Sequence, residues 1–365
     1  MRIFIGLCGS VKHGYESSSR GEGRWALSLV RCLKDYGHEI AMAPDTEPCE
    51  WGTCKQPSNV LMVQPWEKNR LDKMHFDVAI FTSWQTAKPE AQYIHADKYV
   101  WGVMSWKHEI MKDGFFNENE YVARWLRQDL PEIPYPINFK DRCFLLAQPF
   151  GKELGASKFS NKRIGWVAKE AFLPSTHPSL GESAARNLFG IIDACKATGA
   201  ALSIFSAHEL DPRNAPKVKE LGVWDRLQEL KDVRMYPSLP YPEYQRELAK
   251  CSVTTPLAFA GSIQEAIFAG IVPMLYKDSG FTNHPWTPGI AQEMTRNKLS
   301  RYQSENEKQD VLTSDEIRDI LVELLTDRIK YEQYLYRLRP MVVDNIDDHV
   351  HQQLQAIMEH KPGRN

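Results

Sequence analysis

The sequence predicts an α/β fold of two tandem domains, each built on a parallel sheet, and three observations carry that expectation. Short apolar runs of strand length alternate with stretches whose apolar residues recur at helical spacing, the pattern of a doubly wound layer. The alternation stops once, in the small and polar stretch GKELGASKFSNK (151–162), and then restarts. The chain has 365 residues, 42% hydrophobic and 25% charged, enough for two ordinary globular domains.

The elements follow in order. RIFIGLC is a strand that ends in glycine. A long Gly- and Ser-rich loop, GSVKHGYESSSRGEG, leads to the helix RWALSLVRCLKDYG, which Gly37 stops, and then to the strand HEIAMAP. Residues 2–43 thus read as a β-α-β unit with its long loop at the carboxyl end of the first strand, where open parallel sheets bind ligands. NVLMVQP, FDVAIFTSW and KYVWGVMSW read as strands, QTAKPEAQYIHAD as a short helix, EYVARWLRQDL as a helix and RCFLLAQPF as a strand. Past the linker, RIGWVA is a strand, SAARNLFGIIDACKATG a helix stopped by Gly199, ALSIFSA and VRMYPSL strands, and PYPEYQRELAKC a helix. SVTTPLA, SIQEAIFAG and IVPMLY complete a strand, helix and strand. The run from Thr313 to Val342 reads as one long helix capped by Thr313 or Ser314, and NIDDHVHQQLQAIMEH as a last helix.

Bulk properties exclude several classes. The net charge is −2, so no global basic field draws the chain to nucleic acid or anionic membranes. The opening MRIFIGLCGS is broken by glycine too early for a signal peptide, and no apolar run approaches the ~18 residues of a membrane span. Seven cysteines, Cys8, Cys32, Cys49, Cys54, Cys143, Cys195 and Cys251, are odd in number and scattered. Reduced thiols in a cytoplasmic protein are expected. There is no Gly-x-Ser-x-Gly elbow, Walker loop, His-Glu-x-x-His pair or Rossmann Gly-x-Gly-x-x-Gly, and no metal site is expected.

The stretch TTPLAFAGSIQEAIFAGIVPMLY holds the sharpest chemical signal, a single carboxylate, Glu265, on an otherwise apolar helix of small residues. Ser262 reads as the helix cap, and Gly261 permits close approach of the backbone. The N–H groups of Ile263 and Gln264 would then face an anion at the positive helix end. Glu265, placed in the first turn, reads either as a partner for ribose hydroxyls or simply as an acid that complements the helix dipole.

Glu265-Ala266, Ala269-Gly270 and Pro273 are in register with the closing motif of the retaining GT-B glycosyltransferases of glycosyltransferase family 4, which the chain resembles. The preceding MYPSLPYPEYQRELAKCSVTTPL and the opening β-α-β with its Gly37-His38-Glu39-Ile40 are similar to the same family. The resemblance implies a GT-B fold, two Rossmann-like domains facing across a cleft: an acceptor domain at 1–155, a nucleotide-sugar domain at 156–335, and a C-terminal helix at 336–365 crossing back to the first. It implies transfer of a sugar, with retention, from a nucleotide-sugar donor, a UDP-sugar by expectation, without a metal cofactor. In the family's register the lysine that neutralises the leaving diphosphate falls on Arg186 and its arginine partner on Trp166, so Lys169, three residues on, is expected to supply the second fixed cation. Arg186 and Lys169 each also read as an exposed charge at the end of an element.

His108 stands where the family contacts the donor sugar, with Glu109 beside it; a surface histidine is the plain alternative. Gly261, Ser262, Ile263, Glu265, Gly23 and Glu109 are the expected donor-binding residues. Glu22, Arg24 and Trp84 are expected at the acceptor. Trp84, Trp101 and Trp106 read as stacking platforms or as core. His38 reads as structural. One departure stands out: Leu257 occupies the place of a second family glutamate. EAIFAGIVPMLYKDSG is also similar to the matching segment of bacteriophage DNA α-glucosyltransferases, so the acceptor is a saccharide, a small molecule or a hydroxymethylated DNA base. Basic and acidic residues balance before the linker, which restrains the last. The rival readings are a GT-B phosphorylase or sugar-nucleotide epimerase, and a degenerate nucleotide-sugar binding module.

Overall fold

The computed structural model describes residues 1–6, 21–43, 61–62, 72–82, 94–103, 117–124, 142–150, 154–167, 172, 178–205, 210–236, 239, 241–256, 261–274, 313–339 and 342–361. The chain forms two compact units, one of Met1–Gly151 with Val343–Asn365, the other of Lys152–Val342.

In the first unit β1 (Arg2–Gly6), α1 (Gly21–Asp35), β2 (Glu39–Ala43), β3 (Leu61–Met62), β4 (His75–Phe81), β5 (His95–Val103), β6 (Glu120–Arg124) and β7 (Cys143–Leu145) build a seven-stranded sheet in the order β3-β2-β1-β4-β5-β6-β7. Every pairing is parallel. Ile3, Phe4 and Ile5 are all buried, as continuous apolar runs must be in a sheet covered on both faces. Trp25 of α1 is fully buried and donates its indole N–H to the Leu146 carbonyl at 2.8 Å. Gly102 makes room for it: a Cβ there would stand 2.5 Å from the Trp25 ring and 2.7 Å from the Phe81 carbonyl oxygen.

Two sequence expectations give way in this unit. EYVARWLRQDL contains β6 where a helix was expected, with Tyr99 opposite Glu120 and Val103 opposite Arg124. Tyr121, Val122 and Ala123 are consecutive and fully buried, and a short apolar run reads alike as a helix face or a two-faced strand. The end of QTAKPEAQYIHAD is likewise strand, because Ala96 pairs with Phe76.

The second unit carries β8 (Arg163–Val167), α2 (Pro178–Thr198), β9 (Ala201–Phe205), α3 (Lys217–Glu220), α4 (Val223–Gln228), β10 (Val233–Met235), α5 (Tyr241–Leu248), β11 (Val253–Pro256), α6 (Gly261–Phe268), β12 (Val272–Pro273), α7 (Ser314–Thr326) and α8 (Arg328–Leu338). Its five-stranded sheet runs β10-β9-β8-β11-β12, again parallel throughout. Ile164, Trp166, Leu202, Ile204, Val253 and Val272 join residues of α2, α6, α7 and α8 in one core. α2 and α7 pack closely at Gly190, where a Cβ would lie 2.6 Å from the Ser314 carbonyl oxygen and 2.7 Å from Ile317.

Thr313 caps α7 in a capping box with Glu316, as the sequence indicates. The single long helix expected from Thr313 to Val342 is two. Asp327 adopts extended dihedrals (φ −102°, ψ 101°) and its side chain accepts from the Lys330 N–H at 3.0 Å, capping α8. Asp is a better cap than helix interior, so the break falls there. The short α3 and α4 were not expected.

The last helix, α9 (Ile346–Glu359), belongs to the first unit, as expected for a helix that crosses back. Lys98 Nζ donates to the carbonyls of Ile357 at 2.5 Å and His360 at 2.7 Å, placing a cation at the negative end of the helix. The Tyr36 ring stacks on His351, and His38 Nε2 lies 3.2 Å from His351 Nδ1, so His38 is structural as read from the sequence.

Candidate functional site

The strand order of each unit reverses once, between β1 and β4 in the first and between β8 and β11 in the second. Ligands of doubly wound sheets bind at the carboxyl edge beside such a reversal. In the second unit β11 leads into α6 and β8 into α2, so Glu265 and Arg186 both lie on helices that start from that edge.

α6 starts at Gly261, before the expected cap. Ser262 therefore lies within the first turn, Glu265 lies in the second, and the first turn holds no acid. Glycine accepts helical dihedrals, and the burial of the helix from Ile263 onward extends it back to Gly261. The unbonded N–H groups of a helix belong to its cap and first three residues, here Gly261, Ser262 and Ile263; that of Gln264 joins the helical ladder. Ile263 and Gln264 are buried, and Glu265 has no exposed surface. Beyond the first turn a carboxylate gains little from the helix dipole.

The carboxyl end of α6 is fixed in detail. Gly270 adopts φ +78°, and its N–H bonds the Ile267 carbonyl at 3.1 Å while the Ile271 N–H reaches the Ala266 carbonyl at 2.8 Å, a Schellman motif. The sequence marks this ending with Ala269-Gly270, and the positive φ gives the glycine its reason. β12 then pairs with β11, Val272 opposite Val253.

Arg186 stands two turns into α2, because that helix starts at Pro178, earlier than the expected Ser183. Its main-chain carbonyl accepts from Ser314 Oγ at 3.1 Å. Its side chain is half-buried, and Nη1 is a buried donor with no hydrogen-bond partner among the described residues. The neighbouring Asn187 is 1% exposed, and its Nδ2 is likewise unbonded among the described residues. Sequence reasoning passed over Asn187, since an asparagine inside a helical pattern carries no visible signal of burial.

In the first unit α1 starts at Gly21, which puts Glu22, Gly23 and Arg24 in its first turn. Trp101 is core: it is 2% exposed and its ring stacks on Phe81 at 4.9 Å. Lys169, His108, Glu109, Trp84, Trp106 and Leu257 lie outside the described residues. Cys32, Cys143, Cys195 and Cys251 are not in disulfides, and burial pushes the thiols of Cys195 and Cys251 up to about 12. Among the described residues no three His, Cys, Asp or Glu side chains group to hold a metal, and no helix is long and apolar enough to cross a membrane.

No protein-family model matches the sequence, and no curated protein does. Solved structures do match. A putative UDP-N-acetylglucosamine 2-epimerase from Listeria monocytogenes is 10% identical, with 98% of this chain and 96% of that one covered at a TM-score of 0.57. The sucrose-phosphate synthase of Thermosynechococcus elongatus is 11% identical over 98% of this chain and 96% of its own, at a TM-score of 0.56. An Arabidopsis thaliana protein complexed with UDP-L-rhamnose is 11% identical over 98% of each chain, at a TM-score of 0.59. Such identities establish the fold, which is GT-B-like: two Rossmann-like parallel sheets, with the C-terminal helix returned to the first.

Proposed function

We propose that this chain is an enzyme that binds a nucleotide sugar in its second unit and transfers the sugar to an acceptor. The observation that carries the reading is Glu265, a fully buried carboxylate on the helix that leaves β11 at the reversal of strand order. In this reading Glu265 accepts hydrogen bonds from the ribose hydroxyls of the donor. The N–H groups of Gly261, Ser262 and Ile263 meet the diphosphate at the positive end of α6. Arg186, with its unbonded buried Nη1, supplies a fixed cation to the same diphosphate, and Lys169 supplies a second. A UDP-sugar is the donor we favour, since structures of this fold include one complexed with UDP-L-rhamnose.

The reaction breaks the bond from the sugar anomeric carbon to the diphosphate oxygen, whose electron pair leaves with the nucleoside diphosphate. A bond forms from the acceptor oxygen to the anomeric carbon. With retention, acceptor and leaving group share one face of the sugar, and the departing phosphate oxygen takes the acceptor proton. No side-chain base and no metal is then needed. His108 and Glu109 are assigned to the sugar, Gly23 to the donor, and Glu22, Arg24 and Trp84 to the acceptor, which is a saccharide, a small molecule or a hydroxymethylated DNA base.

One rival has support of its own, because the matched structures include the putative UDP-N-acetylglucosamine 2-epimerase of Listeria monocytogenes and a UDP-GlcNAc 2-epimerase from Neisseria meningitidis bound to UDP-GlcNAc. Incubation with nucleotide sugars, with and without acceptors, followed by NMR of the products separates the readings. Free nucleoside diphosphate and a new glycoside support transfer. Epimerised sugar in the absence of acceptor refutes it. A salt titration against duplex DNA tests the base acceptor, which lack of binding at low salt eliminates.

A further inference from the structure

The carboxyl end of α6 is held by residues from near both ends of the second unit's stretch of chain. The chain passes between the units after Gly151 and again after Val342. From the entering segment, the Ser157 N–H donates to the Ala269 carbonyl at 2.6 Å. Ser157 is itself anchored: its hydroxyl donates to the Cys251 carbonyl just before β11, and it accepts from Asn161 Nδ2, which also reaches the Ala249 carbonyl at 3.3 Å. From α8, the last helix before the chain leaves, the Tyr331 hydroxyl donates to the Gly270 carbonyl at 2.6 Å. Tyr331 is 3% exposed and packs edge-on against Phe159 of the entering segment at 5.3 Å. Arg339, at the end of α8, lies over the Phe268 ring at 5.9 Å.

Resting on the reading of Glu265 as the donor-binding carboxylate, we infer that Tyr331 and Ser157 are positioning residues: together they clamp the end of α6 and set where Glu265 stands. α6 has eight residues, too few to hold its place through its own hydrogen bonds. The Schellman motif occupies the Ala266 and Ile267 carbonyls, and the clamp takes those of Ala269 and Gly270. These bonds tie the end of the helix to residues outside it. Glu265 sits about 4.5 Å along the helix axis from Phe268, the last residue of α6, at about 1.5 Å per residue. A carboxylate that must meet two hydroxyls tolerates displacement of only about 0.5 Å. Burial raises the Tyr331 hydroxyl well above its ordinary range, which keeps it a donor at any working pH.

Tyr331→Phe tests the clamp in the full-length chain, since it keeps the ring and its packing on Phe159 and deletes one donor. In the unliganded protein, hydrogen exchange of the α6 amides is expected to quicken about five- to tenfold while α2 is unchanged, the loss of one buried hydrogen bond. Unchanged α6 protection overturns the clamp whatever ligand the protein takes. Donor affinity is expected to fall by a similar factor with a smaller change in kcat. In a Glu265→Gln background Tyr331→Phe then costs no further affinity, because the tyrosine acts through the carboxylate. Independent, multiplying losses in the double variant reduce Tyr331 to a structural residue and overturn the inference. Absence of any nucleotide-sugar binding by the wild-type protein instead overturns the donor reading and with it the role given to Glu265.

Discussion

Replacing Lys98 with methionine isolates what holds the C-terminal helix on the first unit. The substitution keeps the aliphatic stem and removes an ammonium that donates to the carbonyls of Ile357 and His360 and lies 5.0 Å from the centre of the Tyr121 ring. Each hydrogen bond from a charged donor contributes about 1.5–3 kcal/mol. Two effects reduce the sum. The freed carbonyls, at a helix end, regain water, and burial already disfavours the ammonium, drawing the Lys98 pKa down from its ordinary value. A net loss of about 2 kcal/mol remains, or about 30-fold faster local opening of α9 at 1.4 kcal/mol per tenfold. Hydrogen exchange read by mass spectrometry on peptides covering α9, with α7 of the other unit as internal reference, measures it. An unchanged rate in α9, or an equal rise in α7, would refute the argument that Lys98 anchors this helix locally.

Further outcomes follow from the same geometry. Gly190→Ala drives a methyl into the Ser314 carbonyl and Ile317, and should destabilise the second unit by about 1–3 kcal/mol, seen as a fall of several degrees in its thermal transition. The α9 contact should be pH-dependent through His38, whose pKa is lowered by burial first, then by the amino group of Met1 and by His351. A lowered pKa means that the unfolded chain binds the proton more readily, so this contribution is fully present above the ordinary histidine value and is lost as pH falls from there through the folded value. Beside the pair, the Tyr36 ring stacks on His351 and its hydroxyl is bonded to Asp348, and the Met1 amino group lies 3.4 Å from His38 Nδ1. Exchange in α9, corrected for intrinsic rate, should rise at pH 5.5, and His38→Gln should flatten the profile. Arg186→Ala should leave the fold intact, since no hydrogen bond to its guanidinium Nη1 is lost, and should lower nucleotide-sugar turnover by about 100-fold or more as a missing transition-state cation.

The sequence made the architecture legible where pattern and punctuation agreed. The β-α-β opening, the stop of α2 at Gly199 and the Ala269-Gly270 turn all combine an apolar rhythm with a glycine, and Gly199 and Gly270 both adopt positive φ. It failed where one signal had to serve alone. β6 was hidden because Tyr121, Val122 and Ala123 suit a buried strand as well as a helix. The break at Asp327 was hidden because the heptad-like run continues across it. In the site, residue types pointed to Glu265 and Arg186 but not to their surroundings. Burial of the whole Glu265 side chain, burial of Asn187 and the convergence of Ser157 and Tyr331 on one helix end depend on tertiary packing between residues distant in sequence.

Whether the second unit takes a nucleotide sugar through Glu265 is the decisive question. A thermal-shift panel of UDP-, GDP- and ADP-sugars against the wild-type protein and Glu265→Gln measures this directly. At about 100-fold excess over Kd, one donor class should add about 2.7 kcal/mol of stability to the wild type, and most of that shift should vanish in Glu265→Gln while the unliganded variant stays folded. A wild-type protein whose melting temperature no nucleotide sugar raises, or a Glu265→Gln variant that binds the donor as tightly as the wild type, would contradict the donor reading.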